Sequence, residues 1–338
     1  MSAKVLYLYN TKTTWTENDY EKLSRHFTVT QGFIHTIGDQ LRWVNPFRLS
    51  SYDVVITWFA SLSFLPIALM ARLLHKGVVI IAGGYDVVRL PEINYGAWTQ
   101  NPISRVAREI MFHLADTIVS VSQSNQHELI ENVRVSAERS IMLYHGFEDP
   151  VVVLRSFDSR QKRIVTIGEI TNSTLTRKGY DSFLKLAELM PDWDFWLIGK
   201  VDPKVGDWVD QNVGNNVSVP GYVSDESLKE ILNDTRFYVQ LSVHEGFGVS
   251  IVDSALMGCY PIVFDRFAMP EVVAGCGTVI EFGHLNDVKD AILSMNTQSI
   301  NVEEIRQFYL AKFPSINREN GLCSVVNALV SPTKRSIT

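Results

Sequence analysis

Short runs of Val, Ile, Leu and Tyr alternate with amphipathic stretches along almost the whole chain. The apolar runs predict strands at 5–9, 28–31, 54–57, 78–82, 117–121 and 141–143, with helical periodicity at 18–26, 65–74, 102–115 and 123–132 between them. The alternation then restarts. Strands are predicted at 163–167, 195–198, 217–219, 237–240, 260–263 and 278–280, and helices at 180–190, 225–233, 249–257 and 285–295. Continuous apolar strands separated by helices are the pattern of parallel sheets covered on both faces. The break falls at Tyr144-His145-Gly146-Phe147-Glu148-Asp149-Pro150, where Gly, Pro and two acids interrupt the pattern. The expected fold is therefore α/β, with two doubly wound, Rossmann-like domains facing a central cleft. Their expected bounds are 1–148 and 149–315, followed by a helix at 316–330 packing back towards the first domain and a disordered tail at 331–338. Such sheets bind ligands at the carboxyl ends of their strands, where the strand order reverses.

Composition narrows the class. The chain has 338 residues, 46% of them hydrophobic, enough for two cores. The net charge of −6 excludes the basic footprint of a nucleic-acid binder. The first 150 residues carry a net −1 and the remainder −5, so the nearly neutral first half leaves contact with a membrane surface open. Cys259, Cys276 and Cys323 fit neither a disulfide framework nor a zinc site, and the histidines have no metal-ligand spacing. No long apolar core follows Met1, and a reducing, cytoplasmic setting is expected. The apolar stretch 54–71 is long enough to suggest a membrane span, but Ser61, Ser63 and Pro66 break it into a strand, a loop and a helix start.

The densest chemistry runs from Leu241 to Val263. A strand ends near Leu241 and a helix begins near Gly248. Between them stands an acid, Glu245, followed by Gly246-Phe247-Gly248, and Asp253 lies eight residues past Glu245. Glycines admit a ligand close to the backbone, and the amides and dipole of a helix start favour phosphate. A second element begins where the strand at 163–167 meets Gly168. After a short loop come Arg177-Lys178-Gly179-Tyr180-Asp181 at the expected opening of a helix. A basic pair at a helix start opposes the dipole, and makes sense beside a dianionic ligand.

These two elements resemble the donor site of the retaining glycosyltransferases of family four, which have the GT-B fold. The matching parts are an acid, Gly-Phe-Gly, a second acid eight residues on, and a small-residue helix leaving through Gly258-Cys259-Tyr260-Pro261-Ile262-Val263. The resemblance covers nearly all of 160–283. It takes in Gly199 after a strand, the turn Gly221-Tyr222-Val223, and Met269-Pro270-Glu271. It implies metal-independent transfer of a sugar from a UDP-, GDP- or ADP-sugar to a glycan, lipid or protein-linked acceptor, with no cofactor. It further implies that Glu245 contacts the transferred sugar and Asp253 the ribose. Lys178 and Arg177 would neutralise the diphosphate with Gly246, Phe247, Gly248 and Val249, and the Val223 backbone would meet the base. Two departures stand out. Asp253 replaces the usual Glu, and Glu169 occupies the place after Gly168 where the family has Arg.

The first half matches less closely. A polar first loop, Asn10-Thr11-Lys12-Thr13-Thr14-Trp15, replaces the family's glycines. Asp86, in Gly83-Gly84-Tyr85-Asp86, is a candidate near the sugar, and Ser120-Val121-Ser122 resembles the family's Ser-x-Ser. Residues 87–100 read as an ordered, acceptor-facing loop. Asp192-Trp193-Asp194 has the spacing of a metal-binding Asp-x-Asp but precedes a strand and is read as a turn. His145 and His244 are read as structural, and whether Trp15, Trp43 and Phe47 meet a membrane or pack inside is left open. Two alternatives keep the same architecture: a nucleotide-sugar 2-epimerase, and a non-catalytic donor-binding subunit of a glycosylation complex.

Overall fold

The computed structural model describes residues 2–34, 39 and 42–331; the tail expected from 331 onward falls, beyond its first residue, outside the described residues. The chain forms two units. One holds the described residues up to Gly146 together with those from Ser315 onward, and the other is Phe147–Pro314.

The first unit is built on six strands: β1 (Lys4–Tyr9), β2 (Thr28–Phe33), β3 (Val54–Trp58), β4 (Gly77–Ala82), β5 (Thr117–Ser120) and β6 (Ser140–Met142). They lie in the order β2-β1-β3-β4-β5-β6, and every pairing is parallel. All five residues of β3 are buried, as are five of the six in β4, which is why both read as unbroken apolar runs. The stretch 54–71 resolves into β3, a single tight turn and the helix Leu65–Leu73. Among the described residues no helix is long and apolar enough to cross a membrane. The first helix begins at Thr14, four residues before the apolar periodicity indicates. A reciprocal capping box explains this: the Thr16 amide donates to Thr13 Oγ1 at 3.3 Å and the Thr13 amide to Thr16 Oγ1 at 2.9 Å.

The helix Ser315–Val330 belongs to this unit and packs on Thr14–Ser24. Its anchor is Arg318, which donates to both carboxylate oxygens of Asp19 at 2.9 and 2.6 Å and to the Leu143 carbonyl at 2.7 Å. His145 is buried, with its ring stacked on Trp58 at 5.9 Å. Burial, and then the cations Arg318 and Lys22, hold its pKa well below the ordinary value, so it is a neutral packing residue.

The second unit holds β7 (Gln161–Ile167), β8 (Asp194–Ile198), β9 (Val217–Gly221), β10 (Thr235–Gln240), β11 (Tyr260–Phe264) and β12 (Thr278–Ile280). Their order is β12-β11-β10-β7-β8-β9, again wholly parallel. The chain runs outward from β7 through β8 to β9, then returns to β7's other side with β10. The switch point therefore lies between β7 and β10. Two helices of this unit with seven or more residues escaped the periodicity reading, Gly206–Asn212 and Val302–Lys312. Asp194 starts β8, at the end of the sheet away from the strands' carboxyl termini. Its carboxylate accepts from Arg163 Nε and Trp196 Nε1, both at 2.8 Å, so the Asp-x-Asp spacing is a packing feature.

Candidate functional site

The loops leaving β7 and β10, side by side at the switch point, build the densest polar cluster of the second unit. After β7 come Gly168, a short capped turn at Asn172–Leu175, and Arg177-Lys178. The basic pair precedes the next helix rather than opening it. That helix is Tyr180–Leu189, and Gly179 before it takes a left-handed φ of 70°. A Cβ on Gly179 would collide with the carbonyl of Leu241. The glycine thus lets the two loops touch, and the Val243 amide donates to the Arg177 carbonyl at 2.7 Å. Gly168 has a similar purpose. A Cβ there would stand 3.0 Å from Lys178 Cε and 2.7 Å from the Tyr180 hydroxyl, so its absence leaves a path for the lysine stem.

Lys178 and Arg177 converge on one oxygen. Lys178 Nζ stands 2.8 Å, and Arg177 Nη1 3.5 Å, from Glu245 Oε1. The three side chains are only 12–15% exposed. Ser242 Oγ donates to the same oxygen at 3.0 Å and Gln240 Nε2 at 3.3 Å. Burial alone pushes the Glu245 carboxyl up, but Lys178 and Arg177 outweigh it and hold it at about 2. Burial also draws the Lys178 ammonium down, with Glu245 opposing. Two cations therefore face one carboxylate, an excess of positive charge in a shielded place.

Gln240 and Ser242 are missing from the sequence reading, as are Tyr238 and Ser250. The Tyr238 hydroxyl donates to Gln240 Oε1 and lies 2.8 Å from Ser250 Oγ, while Gln240 Nε2 reaches Ser242 Oγ at 2.5 Å. Tyr238, Gln240 and Ser242 alternate along β10 and its exit, so they share one face, and all three are fully buried. The chain of bonds links Glu245 to Ser250 in the first turn of the helix Val249–Leu256. The available signal was polar residues at every second position of a strand otherwise apolar; periodicity gives them a face but no partner. We expect Gln240→Leu, which keeps the volume and removes the bonds to Tyr238, Ser242 and Glu245, to lower kcat about tenfold while nucleotide affinity stays within a factor of two, since the bond to Glu245 Oε1 is worth about 1–1.5 kcal/mol, the scale of one hydrogen bond. Steady-state kinetics beside nucleotide titration check this.

Gly248 precedes the helix Val249–Leu256 with φ of 101°, and Gly246 and Phe247 link it to Glu245. The Phe247 ring is buried against Phe147 at 6.1 Å and Phe313 at 5.2 Å, which anchors the loop. The first amides of an α-helix have no partner inside the helix, and the dipole there is positive. Asp253 lies on this helix and is exposed; among the described residues no hydrogen bond or ion pair joins it to the Glu245 cluster. Gly199 follows β8, where a Cβ would strike the Gly168 carbonyl, and its amide donates to Gly221 at 3.0 Å. Gly221 takes φ of 76° at the end of β9, with Tyr222 exposed and Val223 half-buried just beyond. The Glu169 side chain is exposed, and its carbonyl accepts from the hydroxyls of Tyr180 and Thr174.

Asp86 stands in the other unit, beyond β4. Its carboxylate accepts from the backbone amides of Ala60 at 3.0 Å, Gly83 at 3.1 Å and Gly84 at 3.2 Å, and its side chain is buried. Burial pushes it up to about 6 against the pull of those amides. It ties the β3 and β4 exits together. Ser120 is likewise turned to Ser140 at 3.3 Å, and Ser122 caps the helix Gln123–Glu128. His244 is buried with its ring 4.6 Å from Phe267.

Residues 161–298 match the model of the glycosyl transferases group 1 family. An uncharacterized glycosyltransferase of Methanocaldococcus jannaschii is 26% identical over 199 residues, 57% of this chain and 52% of that protein. The O-antigen chain mannosyltransferase B of Escherichia coli is 32% identical over 112 residues, 32% of this chain and 28% of that protein. The chain thus matches about half the length of the first of these relatives and less than a third of the second. Among solved structures, HepE of Anabaena in complex with UDP and glucose superposes with a TM-score of 0.76 at 15% identity, covering 96% of this chain and 100% of that one. At that identity the likeness is one of fold, and the fold of the two parallel six-stranded sheets is GT-B.

Proposed function

We propose that the chain is a glycosyltransferase that takes a sugar from a nucleoside diphosphate sugar and passes it, with retention, to a hydroxyl of a glycan, lipid or protein-linked acceptor. The observation that carries this is the Lys178–Arg177–Glu245 cluster, set beside a glycine-flanked helix start at the β7/β10 switch point. The match of residues 161–298 to glycosyl transferases group 1 supports it, as do the named activities of the two relatives.

In this reading the diphosphate lies against the amides at Gly246–Val249, with Lys178 and Arg177 neutralising it as it leaves; that is the main electrostatic task of the step, and no metal is assigned to it. Glu245 holds the sugar through its second oxygen, its first being committed to the two cations, Gln240 and Ser242. Asp253 takes the ribose, and the Val223 backbone meets the base. The anomeric carbon–oxygen bond to the diphosphate breaks, a bond to the acceptor oxygen forms, and the acceptor's proton passes to a phosphate oxygen of the leaving group. Retention follows from entry on the face that the diphosphate leaves. Glu169 is exposed, so solvent screens its charge at the phosphates. The free thiols fit a cytoplasmic setting.

HepE was solved with UDP and glucose, which makes a uridine donor the first to test. Calorimetric titration with UDP-, GDP- and ADP-glucose should show micromolar binding of the uridine donor, at least tenfold tighter than of the others, about 1.4 kcal/mol. Slow release of UDP and glucose with the α anomer first should follow, undiminished by EDTA. Failure of all three donors to bind defeats the reading.

A further inference from the structure

The helix Pro102–Leu114 is turned against its own sequence. It buries large apolar side chains only near its C-terminal end. Met111 and Phe112 point into the core, while Ile103, Val106 and Ile110 recur at i, i+3 and i+7 on the outer side, with Ile103 83% exposed. The helix Leu65–Leu73 packs beside it and exposes Leu69 and Leu73, the latter 73%. The short helix Pro46–Leu49 packs next to that and exposes Phe47, 89%. All three send residues into a single core cluster, among them Leu49, Ile67, Ala68, Met111 and Phe112, so their outer sides face the same way. Six large apolar side chains standing out from one side of a unit are more than isolated exposed residues explain.

The charge around them is equally uneven. Residues 42–50, 65–76 and 102–116 hold six Lys and Arg against two acids, Glu109 and Asp116, a local net of +4 in a chain whose net is −6. Asp116 is paired with Arg72 at 2.8 Å. Trp43, by contrast, is buried and covered by Arg48 at 4.2 Å, so of the aromatics in this region it packs and Phe47 does not. Exposed apolar side chains on helices of net positive charge match a surface that is anionic at its face and apolar beneath, into which the helix sinks its apolar stripe while arginines stay at headgroup level.

We infer that the outer face of the helices Pro46–Leu49, Leu65–Leu73 and Pro102–Leu114 docks on an anionic lipid bilayer. Acceptors presented at a membrane would then meet the enzyme there; only that consequence rests on the transferase reading, while the docking itself does not. The test is flotation of the intact protein with vesicles of phosphatidylcholine alone and of phosphatidylcholine mixed with phosphatidylglycerol. Binding to the mixed vesicles, at least tenfold stronger than to the neutral ones and weakened by salt, is expected. Ile103→Asp with Ile110→Asp should reduce it at least tenfold, and Arg105→Glu should reduce it mainly at low salt. Both positions of the double variant are exposed, so unfolding temperature and UDP-glucose affinity should match the parent, which separates loss of docking from failure of the donor site. Absence of binding to both vesicles by folded protein overturns the inference. So does a dimer in light scattering that the double variant dissociates, because the face would then belong to a second copy.

Discussion

Glu245→Gln should retain nucleotide and lose transfer, with kcat down about 10²–10³-fold and UDP affinity changed by less than about threefold, the scale found when one preorganised electrostatic contact is removed. The substitution keeps shape and takes away charge. Lys178 and Arg177, whose counter-ion is Glu245 Oε1 at 2.8 and 3.5 Å, then face each other in a shielded site. A bound diphosphate supplies the missing negative charge, so nucleotide binding survives while the sugar loses its orienting carboxylate. Lys178→Ala should do the opposite to binding, weakening UDP and lowering kcat together, because the cation is assigned to the diphosphate itself. Steady-state kinetics with calorimetric titration distinguish the two patterns, and parallel loss of kcat and affinity in Glu245→Gln would remove the sugar-facing role. The pH dependence has a defined sign. Glu245 sits at about 2 in the folded state against an ordinary 4.5. Its ionised form therefore contributes stability that is complete above about 4.5 and is lost as the pH falls towards 2. Any decline in turnover in mildly acidic buffer must come from another group.

The second large effect lies in the first unit. Arg318→Leu should destabilise the protein by about 3–5 kcal/mol in urea unfolding, since it strands Asp19 as a buried carboxylate without its cation. Arg318 and Asp19 are 1% and 3% exposed and joined by two short bonds. The double variant Asp19→Leu with Arg318→Leu should regain most of the loss, because two apolar residues of similar size replace a pair whose desolvation cost nearly matches its attraction. If the single and double variants are equally unstable, the packing of the helix Ser315–Val330, rather than the ion pair, holds it in place. This pair spans almost the whole chain, and no local pattern announces it.

The strands of the described residues were legible in advance, the central ones because buried parallel strands must be apolar throughout, and that demand is written locally. That Glu245, Lys178 and Arg177 belong together was legible for a related reason: a carboxylate in a shielded loop needs cations, and two loops that touch need glycine. Three things were decided only in three dimensions. Asp86 looks like a free acid in a Gly-Gly-Tyr-Asp turn, yet its carboxylate accepts from the backbone amides of residues 60, 83 and 84. Gln240 and Ser242 look like ordinary strand residues until the β10 exit brings them onto Glu245 Oε1. The helix Pro102–Leu114 shows its periodicity plainly, but the period does not say which side packs; its neighbours in the fold choose Met111 and Phe112, and leave Ile103, Val106 and Ile110 outside. Sequence determines what each segment is able to bury or bind, since propensity, periodicity and glycine placement act over a few residues. Which partner satisfies a given side chain depends on contacts between segments far apart in the chain, and only the folded structure brings those together.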